Sequence, residues 1–142
     1  MKRLMQYVLA SLTTVSMSFV LAASNVNASD DDLVIIDIDV APNVLNIQSN
    51  STVVTVHTDI PFNAVATSSV YLNGVLIEWW KSDNQGNFVA KFVSDQIKEL
   101  VDDGILEAGE IFLTLVGDTT GGDRFSGVQE IVVIDIVPKG KK

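Results

Sequence analysis

The stretch Val70–Phe92, VYLNGVLIEWWKSDNQGNFVAKF, contains three strand-like runs, a tight turn and a polar connection. The turn is Asn73-Gly74, a dipeptide that predicts a two-residue hairpin because both residues tolerate a positive φ. The runs on either side alternate between apolar and polar positions, which is typical of strands with one buried face. The polar segment 82–87 links the second run to the third, so the stretch predicts three consecutive strands.

Both tryptophans of the chain lie side by side in the run Val75–Trp80. Successive strand residues point to opposite faces, so at most one of Trp79 and Trp80 can lie in the core. Exposed aromatic rings can stack on sugars, which makes Tyr71, Trp79 and Trp80 the candidate ligand-binding residues. The alternative, favoured by the apolar area of the rings, is that one tryptophan fills the core and the other covers an edge or the helix.

The polar segment of the same stretch supplies the candidate metal ligands. Asp83, Gln85 and Asn87 alternate as the ligands of calcium loops do, and calcium prefers about six to eight oxygen ligands, several of them carboxylates. Only Asp83 is charged, so the alternative is a plain hairpin loop built from turn-forming Asn and Gly. Calcium is the single cofactor that the sequence suggests, and Asp118 with Asp123 is a weaker second candidate.

Period-two alternation marks further strands before this stretch. Leu33–Val40 has apolar residues at all its even-numbered positions, which predicts a single strand with one wet face. Val53–Thr58 is a second such strand, and it places His57, the only histidine, on the more polar face. A lone histidine without a neighbouring acid–base partner is interpreted as a surface strand residue.

One helix is predicted among the strands. Ser94–Asp103 has apolar residues at helical spacing, with Ser94 as its N-cap and Gly104 as its stop. The apolar run 130–137, EIVVIDIV, is typical of a strand that is buried on both faces. Many short strands with one short helix predict an all-β fold, a Greek-key two-sheet sandwich of immunoglobulin-like kind.

The N-terminal segment is interpreted as a signal peptide. After a basic start, the apolar run Val8–Ala23 leads to Val26-Asn27-Ala28, whose small residues predict cleavage after Ala28. The alternative is an uncleaved membrane anchor, which needs about 20 apolar residues; the run has 16, and five of them carry hydroxyl groups. The predicted organisation is a signal peptide 1–28, an acidic leader 29–32, a β-sandwich domain 33–138 and a basic tail 139–142.

The charge of the chain limits its partners. It has 18 Asp and Glu against nine Lys and Arg, a net charge of −9, which becomes −11 when Lys2 and Arg3 leave with the signal peptide. Such a charge repels nucleic acid and anionic membranes, so neither is expected as a partner. The chain has no cysteine, which excludes disulfides and a lipid-modified cysteine. We expect a secreted or periplasmic protein with no stable membrane span after cleavage.

Several short motifs follow one another in the order in which they occur in a known family. Ile36-Asp37 leads through Pro42 to Leu45-Asn46, Ser68–Gly74 reads SSVYLNG, and Val89–Phe92 reads VAKF. The segments 109–117 and 125–131 are similar to the closing patterns of the same family. With these motifs, residues 36–137 resemble an all-β, immunoglobulin-like module of exported bacterial and archaeal proteins, often repeated or found beside dockerins and surface anchors.

The resemblance implies an extracytoplasmic, non-enzymatic module whose ligand is poorly defined. The chain departs from the family at one functional position. The family has an aspartate-rich loop before its V-x-K-F strand, whereas this chain retains only Asp83 there. The resemblance therefore implies a degenerate form of that loop.

The sequence offers little for catalysis. One histidine, no thiol and no G-x-S-x-G motif leave only carboxylate chemistry. The expected function is an exported, non-catalytic binding or structural module of the cell envelope or extracellular space, with a surface glycan or a protein as partner. A calcium-stabilised, purely structural domain is the alternative. A carboxylate-dependent glycoside hydrolase, which needs two carboxylates in a cleft, is a further one.

Overall fold

The computed structural model describes residues 32–137 and 139, which form a two-sheet β-sandwich with one α-helix. The predicted signal peptide lies outside the described residues. The helix α1 spans Ser94–Asp102, and two single turns of 3₁₀ helix span Phe62–Ala64 and Thr67–Ser69. The strands are β1 (Leu33–Ile35), β2 (Ile38–Ala41), β3 (Val44–Asn46), β4 (Val53–Pro61), β5 (Tyr71–Leu72), β6 (Val75–Leu76), β7 (Trp79–Ser82), β8 (Asn87–Val93), β9 (Gly109–Asp118) and β10 (Arg124–Ile134).

The strands divide into two sheets. The larger sheet has the order β1-β10-β9-β5-β6, with β3 also paired to β10, and the smaller sheet has the order β2-β4-β8-β7. The chain passes between the sheets after each of the first four strands, and again after β6 and after β8. This is the Greek-key connectivity of immunoglobulin-like sandwiches, so the predicted fold class is confirmed.

The core lies between the two sheets and follows the predicted alternation. In β4, Val54, Val56 and Thr58 are buried, whereas His57 is exposed. Thr58 is the polar exception on the inner face, and its hydroxyl donates to the carbonyl oxygen of Phe88 at 2.6 Å. A buried hydroxyl satisfied in this way does not oppose folding.

The run 33–40, predicted as one strand, is divided between the sheets. The N–H of Ile36 donates to the carbonyl of Ser126 in the larger sheet at 3.0 Å. One residue later, the carbonyl of Asp37 accepts the N–H of Asp59 in the smaller sheet at 3.3 Å. The single-strand prediction is wrong because alternation shows which side chains face inward, and both sheets share the same interior.

The run 75–80 is divided in the same way. The N–H of Ile77 donates to the carbonyl of Val70 at 3.0 Å, and the N–H of Glu78 donates to the carbonyl of Lys91 at 2.9 Å. The first bond belongs to the larger sheet and the second to the smaller. Ile77 remains buried at the crossing, with 6% of its surface exposed, as Ile36 does at the other crossing.

The Asn73-Gly74 turn is confirmed. Both residues have positive φ, 46° for Asn73 and 84° for Gly74, as a two-residue hairpin turn between β5 and β6 requires. The Asn73 side chain also ties the turn to β9, since it accepts the N–H of Thr114 at 2.7 Å and donates to the carbonyl of Phe112 at 3.2 Å. The hairpin is therefore attached to the sheet by a side chain as well as by backbone bonds.

The helix α1 has the predicted position, and its stop is confirmed by Gly104 with φ +74°. Ile97 is fully buried, and Leu100 packs against the core from the next turn. The predicted N-cap is wrong. Ser94 is the first helical residue and is buried, its hydroxyl has no hydrogen-bond partner, and Val93 occupies the capping position in extended conformation. The helix follows β8 directly, and no side chain caps its first turn.

The C-terminal run is not buried on both faces, as its composition predicts. In β10, Ile131 and Val133 face the core, whereas Val132 is 37% exposed, and Ile136 and Val137 beyond the strand are more exposed still. Continuous apolar strands belong to sheets that are covered on both sides. Here no element of the described chain packs on the outer face of β10, which leaves apolar side chains in water.

The two ends of the domain meet along β10. β1 pairs with residues 124–126 and β3 with residues 132–134, and both pairings are parallel. Beyond the strand, the side chain of Asn46 accepts the N–H of Ile136 at 3.2 Å and donates to its carbonyl at 2.7 Å. The first and last strands of the larger sheet therefore form one edge.

Gly127→Ala is expected to destabilise the fold. A Cβ at this position would lie 2.6 Å from Cγ2 of Ile38 and 3.0 Å from the carbonyl oxygen of Ile36, so the crossing segment would have to move. Overpacking of this kind costs about 1–3 kcal/mol. In Gly121→Ala, the matched control, the nearest atom is 3.7 Å away, and we expect a change within about 0.5 kcal/mol. Urea unfolding measures both, and equal midpoints would contradict the packing.

Candidate functional sites

The predicted calcium ligands lie on an acidic concavity of the smaller sheet. Asp83, Gln85 and Asn87 all line a shallow depression of about 310 Å³. The other polar side chains that line it come from β2, β4 and the segment before β2: Asp37, Asp39, His57, Thr58 and Asp59. The sequence did not bring these residues together because they are distant from the loop along the chain. Pairing of β2 with β4 beside β8 places them there.

The carboxylate of Asp83 already has a structural role in its loop. Its Oδ1 accepts the N–H of Gln85 at 2.8 Å and the N–H of Asn87 at 2.9 Å. An Asp that accepts backbone bonds from the following residues builds a turn. In residues 32–137 and 139, no three Asp, Glu or His side chains are arranged to hold one metal ion. Calcium binding stays a prediction, and the turn interpretation has direct contacts to support it.

Asp83→Ala should lower the free energy of unfolding by about 1–2 kcal/mol in calcium-free buffer, because two backbone N–H groups lose their acceptor. Asp83→Asn keeps an oxygen in the same place and should lose much less. Thermal unfolding with EDTA measures this difference, and equal losses would contradict the turn role. Adding calcium then tests the second role: a rise in Tm in the wild type that Asp83→Asn lacks would show Asp83 to be a ligand.

His57 has an acidic neighbour that the sequence did not indicate. In the pairing of β2 with β4, Asp39 lies directly opposite His57, at the ~5 Å Cβ separation of cross-strand neighbours. Both side chains are exposed on the outer face of the smaller sheet. On its other side, His57 is paired with Val89. The pair lies in the acidic concavity and is open to solvent.

Neither tryptophan fills the core. Both lie in β7, the edge strand of the smaller sheet, where Trp79 is 46% and Trp80 38% exposed. The interpretation of one core tryptophan is therefore wrong, and the edge position applies to both. On the outer face, the ammonium group of Lys91 lies 5.0 Å from the Trp79 ring centroid and donates to the Thr55 hydroxyl at 3.0 Å. This cation–π contact holds the ring against the sheet.

Tyr71 lies away from the tryptophans, on the other sheet. It belongs to β5 and faces outward beside Val116 of β9 and Leu76 of β6. It lines a shallow depression of about 450 Å³ together with Ser69, Asp118 and Arg124. The three predicted aromatic residues are thus divided between two sheets, and they do not form one strip on which an extended sugar chain could stack.

The outer face of the larger sheet carries a broad apolar surface, which we call the exposed face. Its large apolar side chains come from six strands, and each is at least 37% exposed. They alternate with core residues in the register of the sheet. These residues are Leu33, Ile35, Val44, Tyr71, Leu76, Phe112, Val128 and Val132. Sequence alternation could have indicated this surface, since the outward positions of β10 and β9 include Val, Ile and Phe rather than only polar residues.

The charged side chains on the exposed face are few and unevenly placed. Arg124 and Asp118 form an ion pair at one end of the β9–β10 ladder, with 3.7 Å between Nε and Oδ1. Glu130 and Glu110 lie toward the other end. Arg124 is the only basic side chain on this face in the described chain. The face therefore has an Arg–Asp ion pair near one end and two carboxylates near the other.

No family model and no curated protein matches the chain. The described residues also include no helix that is long and apolar enough to cross a membrane. The geometry of the exposed face and of the acidic concavity is therefore the basis for assigning a function.

Proposed function

We propose that the chain is an exported, non-catalytic interaction module of the cell envelope or extracellular space, and that it binds through the exposed face. The observation that carries this proposal is the apolar outer face of the larger sheet. Its side chains are 37–73% exposed, which corresponds to a surface on the order of 800 Å². This area is a sum over side chains that alternate with Ser126, Thr114 and Glu130, and exposed apolar surfaces of more than a few hundred Å² mark interaction sites.

The acidic character of the rest of the molecule also supports the assignment of the exposed face as an interaction surface. The chain carries 18 acidic residues, and such a protein has ample polar side chains for a soluble surface. β9 and β10 nevertheless present Phe112, Val128 and Val132 to solvent. Exposed apolar side chains on an otherwise acidic sandwich favour a surface that a macromolecule covers.

The acidic concavity supports catalysis less well. A glycosidase acid needs a carboxyl group that its surroundings shield from water, whereas Asp37, Asp39 and Asp59 are all exposed. Asp59 also accepts the N–H of Asp37 at 3.0 Å, which is a structural contact. The carboxylate-dependent hydrolase therefore remains the weakest of the candidate functions.

Calcium stabilisation is the second candidate, and the acidic concavity favours it. Four aspartates line that depression with Gln85 and Asn87, so the local negative charge is greater than the loop alone provides. A cation there would reduce the repulsion among Asp37, Asp39, Asp59 and Asp83. The calcium titration of the Asp83 variants tests this candidate independently of the exposed face.

Photo-crosslinking in the producing cells tests the interaction module. A photoreactive phenylalanine analogue replaces Phe112 on the exposed face, and in a matched control it replaces Ile105. Ile105 is similarly exposed, 67% against 63% for Phe112, but it lies in the turn after α1. We expect cross-linked protein from position 112 and little from position 105.

The opposite result would remove the basis of the proposal. If position 112 gives no more cross-linked product than position 105, the exposed face has no partner in the cell. Secretion of both variants to normal levels shows that the analogue has not disturbed folding.

A further inference from the structure

We propose that the partner of the exposed face is the same face of a second copy of this chain. This inference rests on the proposed function, because it names the partner of the surface assigned there. It requires a self-complementary surface, since in a two-fold dimer each patch meets its own copy. The size of the face, its order of charges and the distribution of acids over the two sheets support it.

The exposed apolar surface has the size that a stable dimer needs. Interfaces of standard size bury about 800 Å² on each partner. The exposed fractions of the eight apolar side chains amount to a surface on the order of 800 Å². Two such sheets can pack about 10 Å apart with nearly aligned strands, as the sheets of a sandwich do.

The order of charges along β10 is self-complementary. Arg124 and Glu130 both point outward and lie six positions apart, with Gly127 midway between them. A two-fold axis in the plane of the face, running across the strands at Gly127, places Arg124 of one copy opposite Glu130 of the other. The Arg124 guanidinium is 68% exposed and meets Asp118 only through Nε at 3.7 Å, so its terminal nitrogens are free to donate to that carboxylate.

Four acidic groups that would repel a second copy lie on the other sheet, whereas Glu110, Asp118 and Glu130 lie on the exposed face itself. The acidic concavity, with its four aspartates, belongs to the smaller sheet. Face-to-face pairing of the larger sheets directs these concavities away from each other. The separation then exceeds the Debye length of about 8 Å at physiological salt, so the aspartates of the two concavities do not oppose association.

A glycan is a poorer occupant of this face. Sugars need polar groups around an aromatic platform, and among the described residues Tyr71 and Phe112 are the two aromatic rings on the face. The remaining side chains are mostly aliphatic and offer no hydrogen bonds. Another protein with an apolar surface is the competing occupant, and the experiments below distinguish it from a second copy.

Sedimentation of the full chain at a series of concentrations tests the dimer. We expect a reversible monomer–dimer equilibrium. Val128→Lys should raise its Kd at least tenfold, because an apolar anchor becomes a buried charge (about 1.4 kcal/mol or more). Val128 is 56% exposed and lies opposite Thr114 in the ladder, so a lysine there reaches solvent in the monomer and should leave the Tm of the dilute protein unchanged. Ile105→Lys is the matched control and should leave the Kd unchanged.

A charge exchange tests the orientation. Arg124→Glu and Glu130→Arg should each weaken the dimer several-fold, and the two changes together should restore it. The two residues are about 20 Å apart within one strand, at ~3.4 Å per residue, so rescue must come from contact between copies. Dimers that show no rescue would refute the two-fold axis at Gly127.

The mass of the photo-crosslinked product separates failure of this inference from failure of the proposed function. A product of twice the chain mass from position 112 supports the second copy. A product with another macromolecule, together with a monomer at all concentrations in sedimentation, would refute the second copy and leave the interaction module standing. Absence of any product, with a monomer in sedimentation, would refute both.

Discussion

Close packing between Gly127 of β10 and the crossing segment 36–38 is the constraint on which the sandwich depends. A Cβ at Gly127 would overlap Ile38 and approach the backbone of Ile36. At this point the chain leaves the larger sheet after one backbone bond and enters the smaller sheet with the next. Ile36 stays in the core through the crossing, so the side chains of both sheets pack against one another at this edge.

The same constraint explains which parts of the fold the sequence could predict. The inward positions of β4, the Asn73-Gly74 turn and the stop of α1 at Gly104 depend on local alternation or local backbone geometry, and all are confirmed. The divisions at Ile36-Asp37 and Ile77-Glu78 depend on which sheet offers the next hydrogen-bond partner. The alternating pattern does not show which sheet a segment pairs with, because the side chains before and after the crossing face the same core.

The candidate sites show the same limit. The loop at Asp83 could be predicted as a turn or a metal loop from its own residues, and its contacts are those of a turn. Its acidic neighbours Asp37, Asp39 and Asp59 reach it through strand pairing, which the sequence did not specify. Strand alternation correctly predicts that Trp79 and Trp80 do not both lie in the core. Their position in an edge strand could not be predicted, since β7 begins only where the chain changes sheet.

The prediction that the run 130–137 is buried on both faces is wrong for a physical reason. An apolar run such as 130–137 predicts burial on both faces, and the described chain buries only one of them. Composition alone does not show whether the outer face of such a strand is covered within the fold or left in water.

The parallel edge formed by β1, β3 and β10 determines how the domain responds to tension. β1 is near the start of the described chain and the end of β10 is near its finish, and the strands run in the same direction. Pulling on the two ends therefore slides these strands along each other, and all their hydrogen bonds bear the load together. The clasp between Asn46 and Ile136 adds to that resistance. A domain anchored at one end and loaded at the other would yield by shear of this edge rather than by opening one bond at a time.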